Sequence, residues 1–596
     1  MSRKLPLALG LVLSALLAQT VAMADALPPA AQWIPQDAII VVEVSRPKAV
    51  LDFALDPKTT EAVTSQPVYQ KAAAGPDFKQ FMAVIAYLET MIGNDWKTAL
   101  RKLTGGGVTF AAGPQGTVWL IVDAEDPKML GELHKILLSF ARDEAEKEGE
   151  PGRVATREYR GVTGWTFGGG EAHAIIGNRL LWSNKPEGLK AAVDLRAKAG
   201  GKSLASLAAY RDAKKAVGPE ACATAFVNAQ VIKQHPPIRE ALAGTSNPLA
   251  ALLFSGVIES LRESNYLGLG LVVERETLTL RAAVDGRAAD PSGATAFALP
   301  SRAEKPSQTQ NPMQTEKGVL PNLPVPRRIA GLSFYRDLHA FYAAKDELFP
   351  ERTSGLIFFE NMMGIFFSGL DLTDEVLGET EPEVRFVVAQ QEYDPAIGTP
   401  QLQIPAFAAI FRLHNPEQFG EIVEEAWQKA IGLTNFTRGQ QAQPGLIIDR
   451  LSHGGTKFTV AYFRAPKEGD RRKIDQRFNF RPSLAAVGDF MILSSTDDLT
   501  KDLIDALQKE IADTVKPLVT AHSLVEVNGV QLASILDANR DNLVRQNMLK
   551  EGSTKEQAET QIGLLITIVE YLGQIKLNVA TRDNRPQATL ELKPNL

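Results

Sequence analysis

The stretch "DPKMLGELHKILL" (126–138) returns in altered form as "NPEQFGEIVEEAW" (415–427), and a helix that occurs twice constrains this chain more than any single residue does. An unrecognised repeat misassigns a whole fold, so its extent has to be read first. "LETMIG" at 88–93 pairs with "FENMMG" at 359–364, and "RGVTGWTF" at 160–167 with "HGGTKFTV" at 453–460. "IIGNRLLWSN" at 175–184 pairs with "AVGDFMILSS" at 486–495, and "TAFVNAQVI" at 224–232 with "LVEVNGVQL" at 524–532. "YLGLGLVVE" at 266–274 pairs with "YLGQIKLNV" at 571–579. Every pair keeps its order, which chance similarity would scramble. The spacing between copies grows across "QQEYDPAIGTPQLQIP" (390–405) and "RAPKEGDRRKIDQRFNFRPS" (464–483), both of which read as long loops. We read the pattern as an internal duplication.

Residues 288–326 lie between the copies, and their Pro, Ser, Gln and Thr content with few aromatic residues reads as a linker. The domain plan is therefore a leader at 1–24, a first module at 25–287, the linker at 288–326 and a second module at 327–596. Each module opens on a short apolar strand, "AIIVVEVS" (38–45) or "IAGLSFY" (329–335), and continues into helical sequence such as "FMAVIAYLETMIG". "GGGVTFAA" and "GTVWLIVDA" correspond to "EVRFVVA" and "AFAAIFRL", and the returning helix follows. In 126–141 the residues Met129, Leu130, Leu133, Ile136, Leu137 and Phe140 recur at helical period and predict one stripe lying on a sheet. "GVTGWTFGG", "AHAIIGN" and "RLLWSN" are short runs between tight polar turns, the mark of antiparallel hairpins. "LGLGLVVERETLTLRAAV" and "GQIKLNVATRDNRPQATLEL" read as hairpins that close their modules. Strands grouped with strands and helices between the groups predict an α+β fold: two tandem homologous modules, each a largely antiparallel sheet with packed helices.

The chain opens with Arg3 and Lys4, an apolar run from Leu5 to Leu17, and Ala22-Met23-Ala24 before Asp25. That is a secretory signal peptide, and the run is short for a membrane span. The expected location is periplasmic or extracellular, with no integral span after cleavage. Loss of Arg3 and Lys4 moves the formal charge from −6 to −8, which speaks against a nucleic-acid surface or an anionic-membrane surface. Cys222 is the single cysteine, so no disulfide forms within one chain. In "PEACATAFVNAQVI" it stands at the entry to a strand, as a small buried hydrophobe.

The search for chemistry ends without a catalytic, cofactor-binding or metal-ligating residue. Seven histidines occur without HExxH, cysteine-cluster or calcium-loop spacing. His453 in "SHGGTK" invites comparison with a glycine-rich oxyanion turn, but its counterpart is Arg160, and a hairpin turn is the preferred reading. "AGGKS" (199–203) lacks the first phosphate-loop glycine, whose place Arg196 holds, and reads as a helix-to-helix turn. "GGG" at 105–107 and 168–170 lacks the frame of a dinucleotide fingerprint. "SRPK" (45–48) fits Ser-x-x-Lys without its companion motifs, and Pro47 reads as a helix start with Ser45 as a cap. "RRKIDQR" (471–477) is the most basic stretch and reads as a solvated face rather than an anion patch.

The opening "WIPQDAIIVVEVSRPKAVLDFAL", the pair "IIGNRLLWSNKPEGLKAAVD" and "AVGDFMILSSTDDLTKDLIDAL", and "TAFVNAQVI" resemble uncharacterised exported bacterial proteins known only as a domain of unknown function. The resemblance spans most of the mature chain and implies a compartment and an architecture without an activity. Asn228 and Asn528 are the clearest polar coincidence between copies, and each sits where a strand enters a turn. The reading that follows is an exported envelope protein of non-enzymatic binding or scaffold type, its partner an envelope protein, a glycan or a lipid. An exported hydrolase whose site is assembled from sequence-distant residues is the alternative. A deep pocket with converging histidines and carboxylates would favour the hydrolase, and an open apolar groove would favour binding.

Overall fold

The computed structural model describes residues 27–65, 67–197, 201–242, 248–286, 318–348, 354–465, 474–519, 521–582 and 585–595. The leader (1–24) and most of the linker (through 317) lie outside them. The fold is mixed α+β, and the strand ladders of its sheets are antiparallel. The chain divides into two compact units: residues through Val44 with Glu89–Arg211, and Ser45–Leu88 with Asp212 onward.

In the first unit seven strands form one sheet. They are β1 (Ile40–Val44), β2 (Gly107–Ala112), β3 (Val118–Asp123), β4 (Ala155–Tyr159), β5 (Val162–Thr166), β6 (Ala172–Ile176) and β7 (Arg179–Ser183). Their spatial order is β4-β5-β6-β7-β3-β2-β1. The hairpin pattern read at β5, β6 and β7 is present, and β4 extends it on the polar side. Helix α1 (Pro76–Ile92), which belongs to the second unit up to Leu88, occupies the predicted "FMAVIAYLETMIG" stretch. Helix α2 (Pro127–Lys147) begins as read: the Asp126 carboxylate accepts the Met129 amide at 3.0 Å and Pro127 fills the first helical position. Its buried face differs from the predicted stripe. Leu130, His134 and Leu138 step by four toward the sheet, whereas Leu137 and Phe140 stand exposed. The row at intervals of four, not of three, meets the sheet in this helix. On the other side lies α3 (Pro186–Ala197), where Gly188 passes close enough for its carbonyl to accept the Trp119 indole N–H at 2.9 Å.

The second unit holds thirteen strands in one antiparallel sheet. From the first half of the sequence come β8 (Ala223–Asn228), β9 (Tyr266–Glu274) and β10 (Thr277–Val284). The remainder are β12 (Arg328–Tyr335), β13 (Thr380–Ala389), β14 (Ala406–Leu413), β15 (Ile447–His453), β16 (Thr456–Tyr462), β17 (Ser483–Val487), β18 (Phe490–Ser494), β20 (Ala521–Asn528), β21 (Gln574–Arg582) and β22 (Arg585–Lys593). A short ribbon pairs β11 (Gly318–Val319) with β19 (Leu518–Val519). The large sheet runs β8-β9-β10-β22-β21-β20-β12-β13-β14-β18-β17-β16-β15. Both closing hairpins, β9–β10 and β21–β22, are present, and they pair with each other from Leu278↔Leu592 to Ala283↔Gln587. The match of "YLGLGLVVE" to "YLGQIKLNV" is out by a few residues. Tyr266 faces Asn228, but the residue facing Asn528 is Gln574, because Tyr571 still belongs to the preceding helix.

Helix α4 (Ser354–Phe366) contains the "FENMMG" stretch, and α5 (Pro416–Gln440) is the returning helix, with Asn415 at its cap position and Pro416 at its first turn. Asn415 makes no side-chain cap bond. One face of the sheet carries α5, which buries Phe419, Trp427 and Ile431 over Leu413, Ala461, Leu484 and Met491. The opposite face carries α6 (Asp497–Ala512), whose Leu499, Leu503, Ile504 and Leu507 cover Ala408, Ile410, Val460 and Ile492. Leu320, Leu323 and Val325 join that core, so residues at the end of the segment read as a linker are part of it. The loop 390–405 is tied down by buried Asn479, whose carboxamide oxygen accepts Tyr393 Oη at 2.8 Å and the Ile404 amide at 2.9 Å.

A buried ion pair helps to fasten α6 to the sheet. Arg385 on β13 is 2% exposed and forks onto Glu510 with Nη1–Oε2 and Nη2–Oε1 distances of 3.0 and 2.7 Å. Removing one partner strands a desolvated charge, whereas an apolar pair of similar volume does not. Glu510→Ala should cost about 3 kcal/mol or more, and Arg385→Met/Glu510→Leu should recover most of that loss. Urea unfolding followed by circular dichroism tests this, and a loss for Glu510→Ala below about 0.5 kcal/mol would show that water reaches and satisfies Arg385.

Candidate functional site

The returning helix builds the most distinctive concavity in the second unit. Along α5, Trp427, Ile431, Thr434 and Arg438 recur at intervals of four, three and four and so form one stripe. Trp427 and Ile431 are buried on the sheet, but Thr434 is exposed and Arg438 half-buried. The helix therefore leaves the sheet along this stripe, and an open cleft of about 560 Å³ lies beside it. Its far wall is Phe463, just past β16, with Arg477, Phe480 and Pro482; its floor is Phe407 of β14, Leu493 and Ser494 of β18, and Ser495 just past that strand. Leu446 closes one end. The volume suits a small ligand.

The chemistry of this lining is narrow. No histidine, cysteine, lysine or carboxylate is among the lining residues. The hydroxyls on the floor are occupied: Ser483 Oγ lies 2.6 Å from Thr500 Oγ1, Ser494 Oγ donates to the Thr496 carbonyl at 2.8 Å, and Ser495 Oγ accepts the Phe407 amide at 2.9 Å. A nucleophile needs a base within reach, and none of these serines has one here. The cleft offers mainly apolar and aromatic surface, two guanidiniums, and the neutral polar side chains of Thr434 and Gln476.

In the first unit a smaller cavity of about 320 Å³ opens between β4, β5 and α3, lined by Tyr159, Trp165, Leu189 and Val193 with Glu171 and Lys190 at its polar side. Burial pushes the Glu171 carboxyl up, but hydrogen bonds from the Phe167 amide and its own backbone outweigh this and hold it below the usual range. An acid so held does not donate protons at neutral pH. Tyr159 Oη donates to Asp194 at 3.0 Å.

The residues singled out in the sequence are spread over the fold. His453 ends β15, and Gly454-Gly455 make its turn with φ of 54° and 78°. The corresponding turn between β4 and β5 is Arg160-Gly161, with φ of 51° and 73°, so the residue in His453's place is Tyr159 and not Arg160. His453 Nε2 meets Asp505 at 2.9 Å, on an exposed hairpin tip. Ser45 does not cap the helix after it: Arg46 holds the cap position, and Ser45 Oγ donates to the Cys222 carbonyl at 3.3 Å. Lys48 pairs with Asp52. Cys222 is buried against the Leu271 carbonyl at the entry to β8. The glycines at 105–107 join a helix to β2, and those at 168–170 turn β5 into β6. Lys202 and Ser203 precede a short turn of helix, while 198–200 lie outside the described residues. Asn528 caps the helix Gly529–Ala538 through the Gln531 amide, and Asn228 holds the like position before the helix Ala229–Ile232 without a side-chain bond. Of "RRKIDQR", residues 471–473 are outside the described set; Arg477 is no part of a solvated face, for its Nε is buried.

Two histidine arrangements were not visible in the sequence. His134 on α2 and His173 on β6 approach to 3.0 Å between their Nε2 atoms, beside Trp165 and Phe167. Burial and the neighbouring ring lower His173 to about 4, and burial lowers His134. On β20, His522 lies 2.6 Å from Ser523 Oγ, but burial and the Arg336 charge push it down to about 3, which leaves a poor base. Among the described residues, no group of three or more His, Cys, Asp or Glu is arranged to hold a metal ion, and no helix is long and apolar enough to cross a membrane.

Residues 83–326, about two fifths of the chain, match the model of a family described as a protein of unknown function (DUF3352). This agrees with the resemblance seen in the sequence. No curated protein matches the chain. Among solved structures, crystal form I of TP0453 is 8% identical and covers 45% of this chain and 81% of its own, with a TM-score of 0.22. Crystal form IV of TP0453 is 9% identical and covers 44% and 81%, with a TM-score of 0.24. Nothing is transferred from likeness at that level.

The histidine pair has a measurable consequence. Both rings are held below the ordinary value near 6.5, so between that pH and about 4 the unfolded chain binds more protons than the folded one. The stability present above about pH 6.5 is therefore lost as the pH falls, by up to about 1.4 kcal/mol per pH unit for each group. His134→Val/His173→Leu, which removes both titrating rings and leaves apolar side chains in their place, should flatten the dependence between pH 7 and pH 5. Thermal melts across that range check it; an unchanged slope would mean that the pair is protonated freely in the folded protein.

Proposed function

We propose that the chain is an exported, non-enzymatic binding protein built by internal duplication, with modules at 25–287 and 327–596, and that it binds an apolar or amphiphilic molecule of the envelope. The observation that carries the reading is the cleft along α5, which is mainly apolar and aromatic, has Arg438 and Arg477 as its charged groups and Thr434, Gln476 and the floor serines as its neutral polar ones, and has no base beside those serines. Exposed apolar helix faces in the same unit support it. Phe358 and Ile365 of α4 are each 67% exposed, and Phe81 of α1 is 59% exposed. Side chains of that size are left in water at a cost unless something apolar covers them.

Duplication is supported by order and by detail. The succession β4-β5-β6-β7-β3-β2-β1 is matched strand for strand by β15-β16-β17-β18-β14-β13-β12, and β8-β9-β10 by β20-β21-β22. Tyr159 to Asp194 on α3 and His453 to Asp505 on α6 tie the same hairpin tip to the helix that follows, with different residues at one end. A contact that survives a change of side chain in this way serves the fold.

The test uses the mature chain, 25–596, and dodecanol, a neutral chain molecule. Calorimetric titration should show saturable binding, and Thr434→Trp, which fills the cleft from an exposed helix position, should weaken it roughly tenfold or more. Saturable binding unchanged by Thr434→Trp would move the site elsewhere. Absence of binding for dodecanol and for a charged chain molecule alike, titrated at two temperatures so that a zero enthalpy does not mask it, would overturn the reading, and turnover of an envelope ester or peptide would replace it with the hydrolase.

A further inference from the structure

The charge of the cleft narrows the ligand further, on the premise of the reading above. Its two arginines approach from opposite walls and meet over one ring. Arg438, at the end of the α5 stripe, is fixed by Nε donating to the Pro444 carbonyl at 2.6 Å, and its guanidinium lies 4.7 Å from the centre of Phe463. Arg477 lies 5.5 Å from the same ring and 5.0 Å from that of Phe478. The Asp475 carboxylate nearby accepts the Arg477 backbone amide at 2.9 Å. Buried Arg477 Nε has no hydrogen-bond partner. Other arginines around α5 and β17 are neutralised in place: Arg450 by Glu424 at 2.8 Å and Arg481 by Asp497 at 2.7 Å. Among the described residues, neither Arg438 nor Arg477 has such a carboxylate.

Two like charges gathered on one aromatic ring repel each other, and the ring attracts each without neutralising either. An anion placed between them removes the repulsion and gains charge-assisted hydrogen bonds from two planar donor sets that stacking has already oriented. The rest of the cleft asks for hydrocarbon: Trp427, Ile431, Leu446 and Leu493, with Phe407 and Phe480 edge to face at 6.5 Å. We infer that the cleft takes an anionic amphiphile, its acidic head group held between Arg438 and Arg477 and its chain laid along Trp427, Ile431 and Leu493. A cationic ligand would meet two guanidiniums and no carboxylate among the lining residues.

Calorimetric titration of the mature chain, residues 25–596, with dodecyl phosphate below its micellar concentration, dodecanol and inorganic phosphate tests the assignment. Dodecyl phosphate should bind roughly tenfold or more tighter than dodecanol and weaken as salt rises, while inorganic phosphate at equal concentration should not displace it. Arg438→Met/Arg477→Met keeps stem volume and should bring dodecyl phosphate down to the level at which the same variant binds dodecanol. Arg477→Met alone, which spares the Arg438 anchor to Pro444, should give an intermediate loss and guards against a folding defect in the double variant. Equal binding of dodecyl phosphate and dodecanol by the unaltered protein would overturn the inference while the apolar reading stands. Displacement by equimolar inorganic phosphate would overturn it in favour of a simple anion site. If neither chain molecule binds, the proposed function itself fails.

Discussion

The ladder between β10 and β22 is the constraint on which the second unit depends. Each strand is the last of a closing hairpin, and each would otherwise present an unpaired row of amides and carbonyls, the condition that invites pairing with another chain. Here the two rows satisfy one another, from Leu278 opposite Leu592 to Ala283 opposite Gln587. Leu280 and Ala282 lie opposite Leu590 and Ala588, so apolar side chains meet across the seam as well as backbone. Strands separated by almost the whole second half of the sequence become neighbours, and within the second unit the ladder joins β8 to β10 to strands that come after residue 327.

A sheet this broad needs cover on both faces, and the helices supply it unequally. Helix α6 is buried along four apolar residues, and the Arg385–Glu510 fork adds a directional tie at its far end. Helix α5 is longer and meets the opposite face only over about its first two thirds, where Phe419, Trp427 and Ile431 reach the core. Beyond Ile431 its residues turn polar or exposed, and the space it leaves is walled by Phe463 and Phe480. The cleft is thus a by-product of a helix that outruns its apolar stripe. Its arginines are what give that space a preference.

Much of this architecture is legible in residues. Pro127 and Pro416 behind Asp126 and Asn415 mark two helix starts that the structure keeps, and Gly161 and Gly454-Gly455 mark hairpin turns that need left-handed backbone. The errors have local physical causes. The stripe on α2 was read at intervals of three and four together, but the helix crosses its sheet along the row of four, which turns Leu137 and Phe140 outward. Arg160 looked equivalent to His453 because both precede a glycine, yet a two-residue turn is counted from its central pair. The cleft was invisible because Phe407, Trp427, Phe463 and Arg477 lie far apart in sequence and each, taken singly, reads as core or as loop.

By itself the sequence determined the order and type of elements, because helix caps, glycine turns and apolar periods act through neighbours a few residues away. It also determined that no short motif would announce a chemistry. Which edges join, which rows of a helix touch the sheet and which charges stay unpaired were decided by tertiary structure alone. Those outcomes depend on the distances between strands and side chains that chain connectivity does not set. Arg477 shows the difference: in sequence it ends a basic run with Asp475 close by, but in the fold its Nε is buried without a partner, and its guanidinium faces an aromatic ring that Arg438 shares.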